Sequence, residues 1–257
     1  MLRLIELRKR FDDTLVVDGL SLEIARGERV VLLGGSGSGK TTTLKMVNRL
    51  IEPDAGRIEI DGVDAASLPP HELRRSIGYC FQQVGLFPHL TVAENVGITP
   101  RLLGWPVERV AARVDELLTM IELDPATYRD RRPSSLSGGQ QQRVGVARAL
   151  AAGPNVLLLD EPFGALDPLT RERLQQSFLA IARRLALTAI FVTHDMVEAV
   201  LIGDRIAVLN EGRIEQLGTP VELTTAPATD YVRTLLATPL RQLAQVQAAT
   251  TREPRPT

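Results

Sequence analysis

A chain of 257 residues, 44% hydrophobic and 24% charged, is long enough to bury one large core with a subdomain attached. Its 30 basic and 31 acidic side chains nearly cancel to a formal net charge of -1, which excludes the basic field of a nucleic-acid-binding surface. The single cysteine, Cys80, can close no internal disulfide, fits a reducing compartment and reads as a small buried hydrophobe.

The opening segment MLRLIELRKRF alternates apolar with charged residues and has no apolar block before a small-residue cleavage site. No signal peptide is expected, and the chain is expected to stay in the cytoplasm. The apolar runs Val30–Leu33 and Val156–Leu159 fall far short of the roughly 20 residues that cross a bilayer, so any membrane link is expected through another chain. Leu2, Leu4, Ile5 and Leu7, then Leu20, Leu22 and Ile24, read as strands closed by the turn Ala25-Arg26-Gly27-Glu28. At Arg29–Leu33 the alternation gives way to a continuous apolar run, the pattern of a strand buried on both faces. A glycine-rich loop follows, then a helix predicted over Lys40–Ile51 and stopped by Pro53 and Gly56. Arg57–Ile60 alternates into Asp61-Gly62, a hairpin signal.

Between Thr91 and Ala152 the composition turns helical. Val107, Val110, Ala111, Val114, Leu117, Leu118 and Ile121 form an apolar stripe at helical spacing behind Pro106. Strand and helix then alternate: Val156–Leu159, Thr170–Leu185, Ala189–Val192 and Met196–Ile202, an order that predicts a parallel sheet with crossover helices. Arg205–Leu209 and Arg213–Leu217 flank Asn210-Glu211-Gly212 as a hairpin. Past Pro239 the composition thins into Ala, Gln, Thr, Pro and Arg. The expected division is a core over residues 1–90 and 153–240, a helical subdomain over 91–152 and a disordered tail over 241–257.

The strongest chemical signal is Gly34-Gly35-Ser36-Gly37-Ser38-Gly39-Lys40-Thr41, with Thr42 following. It satisfies G-x-x-x-x-G-K-S/T between a buried strand and a helix. The glycines let backbone N–H groups wrap phosphates at a helix N-terminus. Lys40 would reach the β- and γ-phosphates of ATP and the Thr41 hydroxyl would ligate Mg2+. In VLLLDEP, Asp160 and Glu161 stand at the C-terminal end of an apolar strand, where such sheets hold their ligands. Asp160 is suited to hold the magnesium ion. Glu161 is suited to deprotonate the attacking water.

Leu136-Ser137-Gly138-Gly139-Gln140 opens a helix expected over Gln141–Ala152 and resembles the signature of ABC-type ATPases. Ser137 offers a hydroxyl, and Gly138 and Gly139 offer bare N–H groups at a helix start, a second anion site. The resemblance covers most of residues 2–235 and implies an α/β P-loop NTPase with a mixed central sheet, an N-terminal antiparallel β subdomain and an inserted α-helical subdomain. It implies a homodimer in which each ATP lies between the P-loop of one subunit and the signature of the other. It further implies that Phe11 stacks on adenine, that Gln82 touches magnesium and water, that Asp167 in Ala165-Leu166-Asp167 crosses the dimer interface, and that His194 holds the γ-phosphate. Direct in-line attack by water is the expected chemistry, with catalysis mostly positional and electrostatic. The surface Gln83-Val84-Gly85-Leu86-Phe87-Pro88-His89 is expected to receive a short helix from a membrane permease on the cytoplasmic face, which in turn meets an extracytoplasmic substrate-binding protein.

The strings TTTLKMVNRLIEPDAGRIEIDG, IGYCFQQVGLFPHLTVAENV and LLGWP look most like the ATPases of importers for glycine betaine, choline, carnitine and similar quaternary-amine osmoprotectants. Gly35 stands where relatives often have proline, a change expected to leave phosphate binding intact because the position contributes little beyond backbone shape. Many of those relatives continue into paired CBS domains, whereas this sequence stops soon after Leu243. The alternatives are an importer ATPase for an amino acid, polyamine or sulfonate, a soluble ABC ATPase working on DNA or ribosomes, and a P-loop kinase. The soluble type would need a coiled-coil insertion or a second cassette, and a kinase would leave LSGGQ without a purpose.

Overall fold

The computed structural model describes residues 1–81, 85–164 and 166–238. Among these residues the strands form two sheets. The first has the order β2-β1-β4-β5, built from β1 (Leu2–Phe11), β2 (Thr14–Ile24), β4 (Ala55–Ile60) and β5 (Val63–Asp64), all antiparallel. Leu2, Leu4 and Leu7 face inward while Arg3, Glu6 and Arg8 face water. The alternation slips by one residue at Glu6, whose left-handed φ of 49° makes a bulge between the Leu4 and Leu7 pairings.

The second sheet has the order β10-β9-β3-β8-β7-β6. Strands β3 (Arg29–Gly34), β6 (Ile77–Cys80), β7 (Val156–Asp160), β8 (Thr188–Thr193) and β9 (Arg205–Asn210) run parallel, and β10 (Arg213–Gly218) closes one edge as the antiparallel arm of a hairpin. Both faces of this mixed sheet are covered, which is why its central strands read as continuous apolar runs. Val31, Leu33, Leu157, Leu159 and Phe191 belong to a cluster shared with the helices. Their neighbours Val30, Leu32, Leu158, Ile190 and Val192 belong to a second cluster shared with the antiparallel sheet and α1 (Lys40–Val47).

Helix α1 ends at Val47, short of the expected Ile51. Arg49 adopts a left-handed φ of 48°, and the Leu50 N–H returns to the Lys45 carbonyl at 2.9 Å, closing the helix before Pro53 can act. The strained residue is useful to the fold: its guanidinium donates to the carbonyls of Ala65 at 3.0 Å and Leu68 at 2.7 Å. Leu68 leads into α2 (Pro70–Ser76), which packs beside β6.

Between β6 and β7 lie α3 (Val92–Val96), α4 (Ile98–Leu102), α5 (Val107–Met120), α6 (Pro125–Tyr128) and α7 (Gly138–Leu150). Val110, Val114, Leu117 and Leu118 of α5 are buried as the stripe predicts. Val107 is not: at the first helical position it projects past the packed stripe and is 79% exposed. The chain continues through α8 (Pro168–Arg184), α9 (Met196–Ile202) and α10 (Pro220–Thr225), and a further helix covers 230–238. Among the described residues no helix is long and apolar enough to cross a membrane. The tail expected over 241–257 lies outside the described residues.

Candidate functional site

Because β3, β8 and β7 are parallel neighbours, the residues that follow them emerge at one edge of the sheet. Leu33 pairs with Thr193 and Asp160 with Val192, so the glycine-rich loop, the Asp160-Glu161 pair and His194 leave the sheet side by side. Cys80 pairs with Leu159, which brings the end of β6 to the same edge. Gln82, expected there as a magnesium and water ligand, lies outside the described residues, as do Gln83, Val84 and Ala165.

The loop from Gly34 to Gly39 is shaped by close approach. A side chain on Gly34 would lie 2.2 Å from the Leu209 carbonyl, and one on Gly39 would lie 2.7 Å from the Val16 carbonyl at a φ of 94°. Gly37, at φ 79°, has open space in front of it. Gly35, Ser36 and Gly37 are exposed, while Ser38, Gly39 and Lys40 are buried. The Lys40 ammonium donates to the carbonyls of Gly34 at 2.8 Å and Gly35 at 2.7 Å and to Ser38 Oγ at 3.2 Å. Burial pulls the lysine pKa down, and the nearby Glu161 and Asp160 charges pull it back up. Thr41 and Thr42, half-buried, start α1.

Thr41 Oγ1 donates to Asp160 Oδ1 at 2.9 Å. Asp160 is 4% exposed, and burial pushes its carboxyl above the ordinary carboxylate range, with the Thr41 hydrogen bond opposing and the Glu161 charge reinforcing the shift. Since the folded value is the higher one, the stability tied to this group is complete below the ordinary carboxylate pKa. It is lost as pH rises through the folded value. Asp160→Asn is therefore expected to raise the thermal midpoint of the ligand-free protein at neutral pH. Thermal unfolding across pH checks this, and the gap between variant and wild type should close as pH falls.

Glu161 has a left-handed φ of 45°. Its N–H donates to the Val192 carbonyl at 3.0 Å, and its carbonyl accepts from the Gly164 N–H at 3.2 Å, so the turn is held from both sides. Its Oε1 lies 3.1 Å from His194 Nδ1. The next residue, Asp195, caps α9 by accepting from the N–H groups of Val197 at 2.8 Å and Glu198 at 3.2 Å.

The second glycine-rich helix start does not join this cluster. Helix α7 packs mainly on α3, α5, α8 and β6, whereas α1 packs on β2, β3, β7 and β8. Ser137 and Gln140 form a capping box: Ser137 Oγ accepts from the Gln140 N–H at 3.3 Å, and Gln140 Oε1 accepts from the Ser137 N–H at 2.9 Å. Ser137 and Gly138 are exposed. Gly139 has no room for a side chain, because a Cβ would meet the Thr170 methyl at 2.8 Å. Thr170 belongs to the helix capped by Asp167, which accepts from the Thr170 N–H at 3.1 Å. The signature start and the Asp167 loop therefore form one surface. Phe11 ends β1 at 42% exposure, with the Lys9 ammonium 5.6 Å from its ring centre.

Two features escape a reading of the sequence. One is the Glu161–His194 contact, made across 33 residues by strand adjacency. The other is Tyr231, whose hydroxyl accepts from the Gly35 N–H at 3.2 Å. That bond corrects the expectation that position 35 contributes little beyond backbone shape. In the sequence Tyr231 is only an aromatic in an apolar-periodic stretch.

The family model described as ABC transporter matches residues 17–164. A glycine betaine/carnitine/choline transport ATP-binding protein of Bacillus subtilis (strain 168) is 54% identical over 216 residues, covering 84% of this chain and 57% of that protein. An osmoprotectant import ATP-binding protein of Salmonella typhimurium is 47% identical over 264 residues, covering 100% of this chain and 69% of that protein. The chain thus spans a little over half the length of the Bacillus relative. Among solved structures, the ATP-binding cassette MJ0796, a dimer in a post-hydrolysis state with ADP and Pi, matches with a TM-score of 0.77 at 36% identity, over 85% of this chain and 98% of that one.

Proposed function

The chain belongs to the ABC transporter family, and from that membership we propose that it is the ATP-hydrolysing subunit of an importer for a quaternary-amine osmoprotectant such as glycine betaine or choline. The observation that carries the ATPase reading is the convergence of Lys40, Thr41, Asp160, Glu161 and His194 at one sheet edge. The loop amides between Gly34 and Thr42, apart from the Gly35 N–H that donates to Tyr231, wrap the phosphates, Lys40 neutralises their charge, and Phe11 stacks on the adenine. Glu161, pinned in its turn, takes the proton of the attacking water, and His194 steadies the γ-phosphate beside it.

Thr41 and Asp160 fit a magnesium ion: a hydroxyl and a buried carboxylate point at each other across 2.9 Å. Among the described residues no group of three or more His, Cys, Asp and Glu converges; the other ligands of such an ion would be phosphate, water and Gln82, the last outside the described residues. When bound it would neutralise phosphate charge.

The separation of α7 from the P-loop within one chain supports a homodimer in which Ser137, Gly138, Gly139 and Gln140 of one subunit close over the nucleotide of the other, with Asp167 at the seam. Permease docking is assigned to the segment around Phe87, which is 40% exposed yet has its backbone pinned at 2.8 Å and 3.1 Å by the buried Asn95 side chain. The subunit then sits on the cytoplasmic face through its permease, with a substrate-binding protein on the far side.

The substrate class rests on the likeness to the Bacillus and Salmonella proteins. Cells carrying the complete transporter should take up labelled choline or glycine betaine when wild-type protein is supplied, and not when Lys40→Ala replaces it. Uptake of spermidine or an amino acid in place of both quaternary amines would overturn the substrate assignment and leave the ATPase reading intact.

A further inference from the structure

We propose that Tyr231 is a positioning residue for the phosphate-binding loop, through which the helix over 230–238 sets the orientation of the peptide that carries the Lys40 contacts. This rests on the reading of that loop as the ATP site. The trans peptide joining Gly34 to Gly35 is held at both ends: its carbonyl accepts from Lys40 Nζ at 2.8 Å, and its N–H donates to Tyr231 Oη at 3.2 Å. In a trans amide these two groups point in opposite directions, so the lysine ammonium and the tyrosine hydroxyl pull on one dipole from either side. A cation at the carbonyl polarises the amide and strengthens the N–H bond, so the two contacts reinforce one another.

The anchor is firm. Tyr231 is half-buried against the helix-side core, and Val232 and Leu236 of the same helix are buried in it. The loop it holds is exposed from Gly35 to Gly37, and the Gly35 carbonyl also accepts from Lys40 at 2.7 Å and from the Ser38 N–H at 3.4 Å. Only a residue with a backbone N–H at position 35 can make the bond, and a proline there could not.

Tyr231→Phe removes the hydroxyl and keeps the ring in the core. In nucleotide-free protein, amide exchange across residues 34–40 should accelerate by roughly fivefold, the weight of one ordinary hydrogen bond. ATP affinity should weaken by about three- to tenfold, with the larger share of the loss in KM. Gly35→Pro deletes the same N–H, so adding it to Tyr231→Phe should weaken affinity no further than the worse single variant. Unchanged exchange in Tyr231→Phe would overturn the tether. Faster exchange with unchanged affinity, or full additivity with Gly35→Pro, would overturn its positioning role. Should wild-type protein bind no ATP, the site reading fails, and the exchange measurement alone decides the tether.

Discussion

Glu161→Gln is expected to lower ATP hydrolysis by roughly 10²- to 10⁴-fold, the usual contribution of a positioned general base, while nucleotide still binds. The variant keeps the shape of the side chain and an oxygen that can accept from His194 Nδ1, now 3.1 Å from Glu161 Oε1. It removes only the capacity to take a proton. The left-handed turn at position 161 is fixed by backbone bonds to Val192 and Gly164, so the substitution does not release the loop. On the proposed model, in which two subunits share each nucleotide and part only after it is hydrolysed, ATP should trap the variant as a dimer visible by size-exclusion chromatography. Adding Ser137→Arg should abolish that trap by placing a bulky cation at the signature helix start, beside Gly138. Wild-type turnover in Glu161→Gln would remove the residue from the base role, and a trap that survives Ser137→Arg would remove the signature from the shared site.

Lys40→Ala is expected to weaken ATP binding by roughly 10²- to 10³-fold, within the range for truncating one partner of a buried, hydrogen-bonded charge pair. Two effects add. The phosphates lose a buried cation, and the carbonyls of Gly34 and Gly35, which accept from Lys40 at 2.8 Å and 2.7 Å, lose their partner. Lys40→Arg should rescue poorly, because three acceptors crowded around one ammonium suit a compact donor better than a planar fork. Titration with a fluorescent nucleotide measures both variants. Affinity within twofold of wild type for Lys40→Ala would detach the loop from ATP.

Much of this site is legible in the amino-acid sequence. The P-loop, the Asp160-Glu161 pair and the LSGGQ helix start are local strings whose chemistry follows from residue type and spacing, and the buried strands before them announce themselves by unbroken apolar runs. What escaped has a common cause. The end of α1 is set by a left-handed Arg49 whose cost is offset by carbonyls 16 and 19 residues away. The exposure of Val107 depends on where a packed stripe runs out, which periodicity does not report. The Tyr231–Gly35 bond joins residues 196 apart, and a lone tyrosine in a helical pattern carries no local sign of it.

The alternation of the central strands between two cores has an outcome for how damage would spread. Val31 and Leu32 are adjacent in the chain yet lie in separate interiors, as do Ile190 and Phe191. A void opened at Phe191 would slacken the wall under the signature helix, and one at Ile190 the wall under the antiparallel ribbon. The nucleotide edge is the shared rim of both chambers. Lesions one residue apart would thus arrive at the same rim from opposite sides, alike in lost turnover and unlike in which half of the molecule softens first.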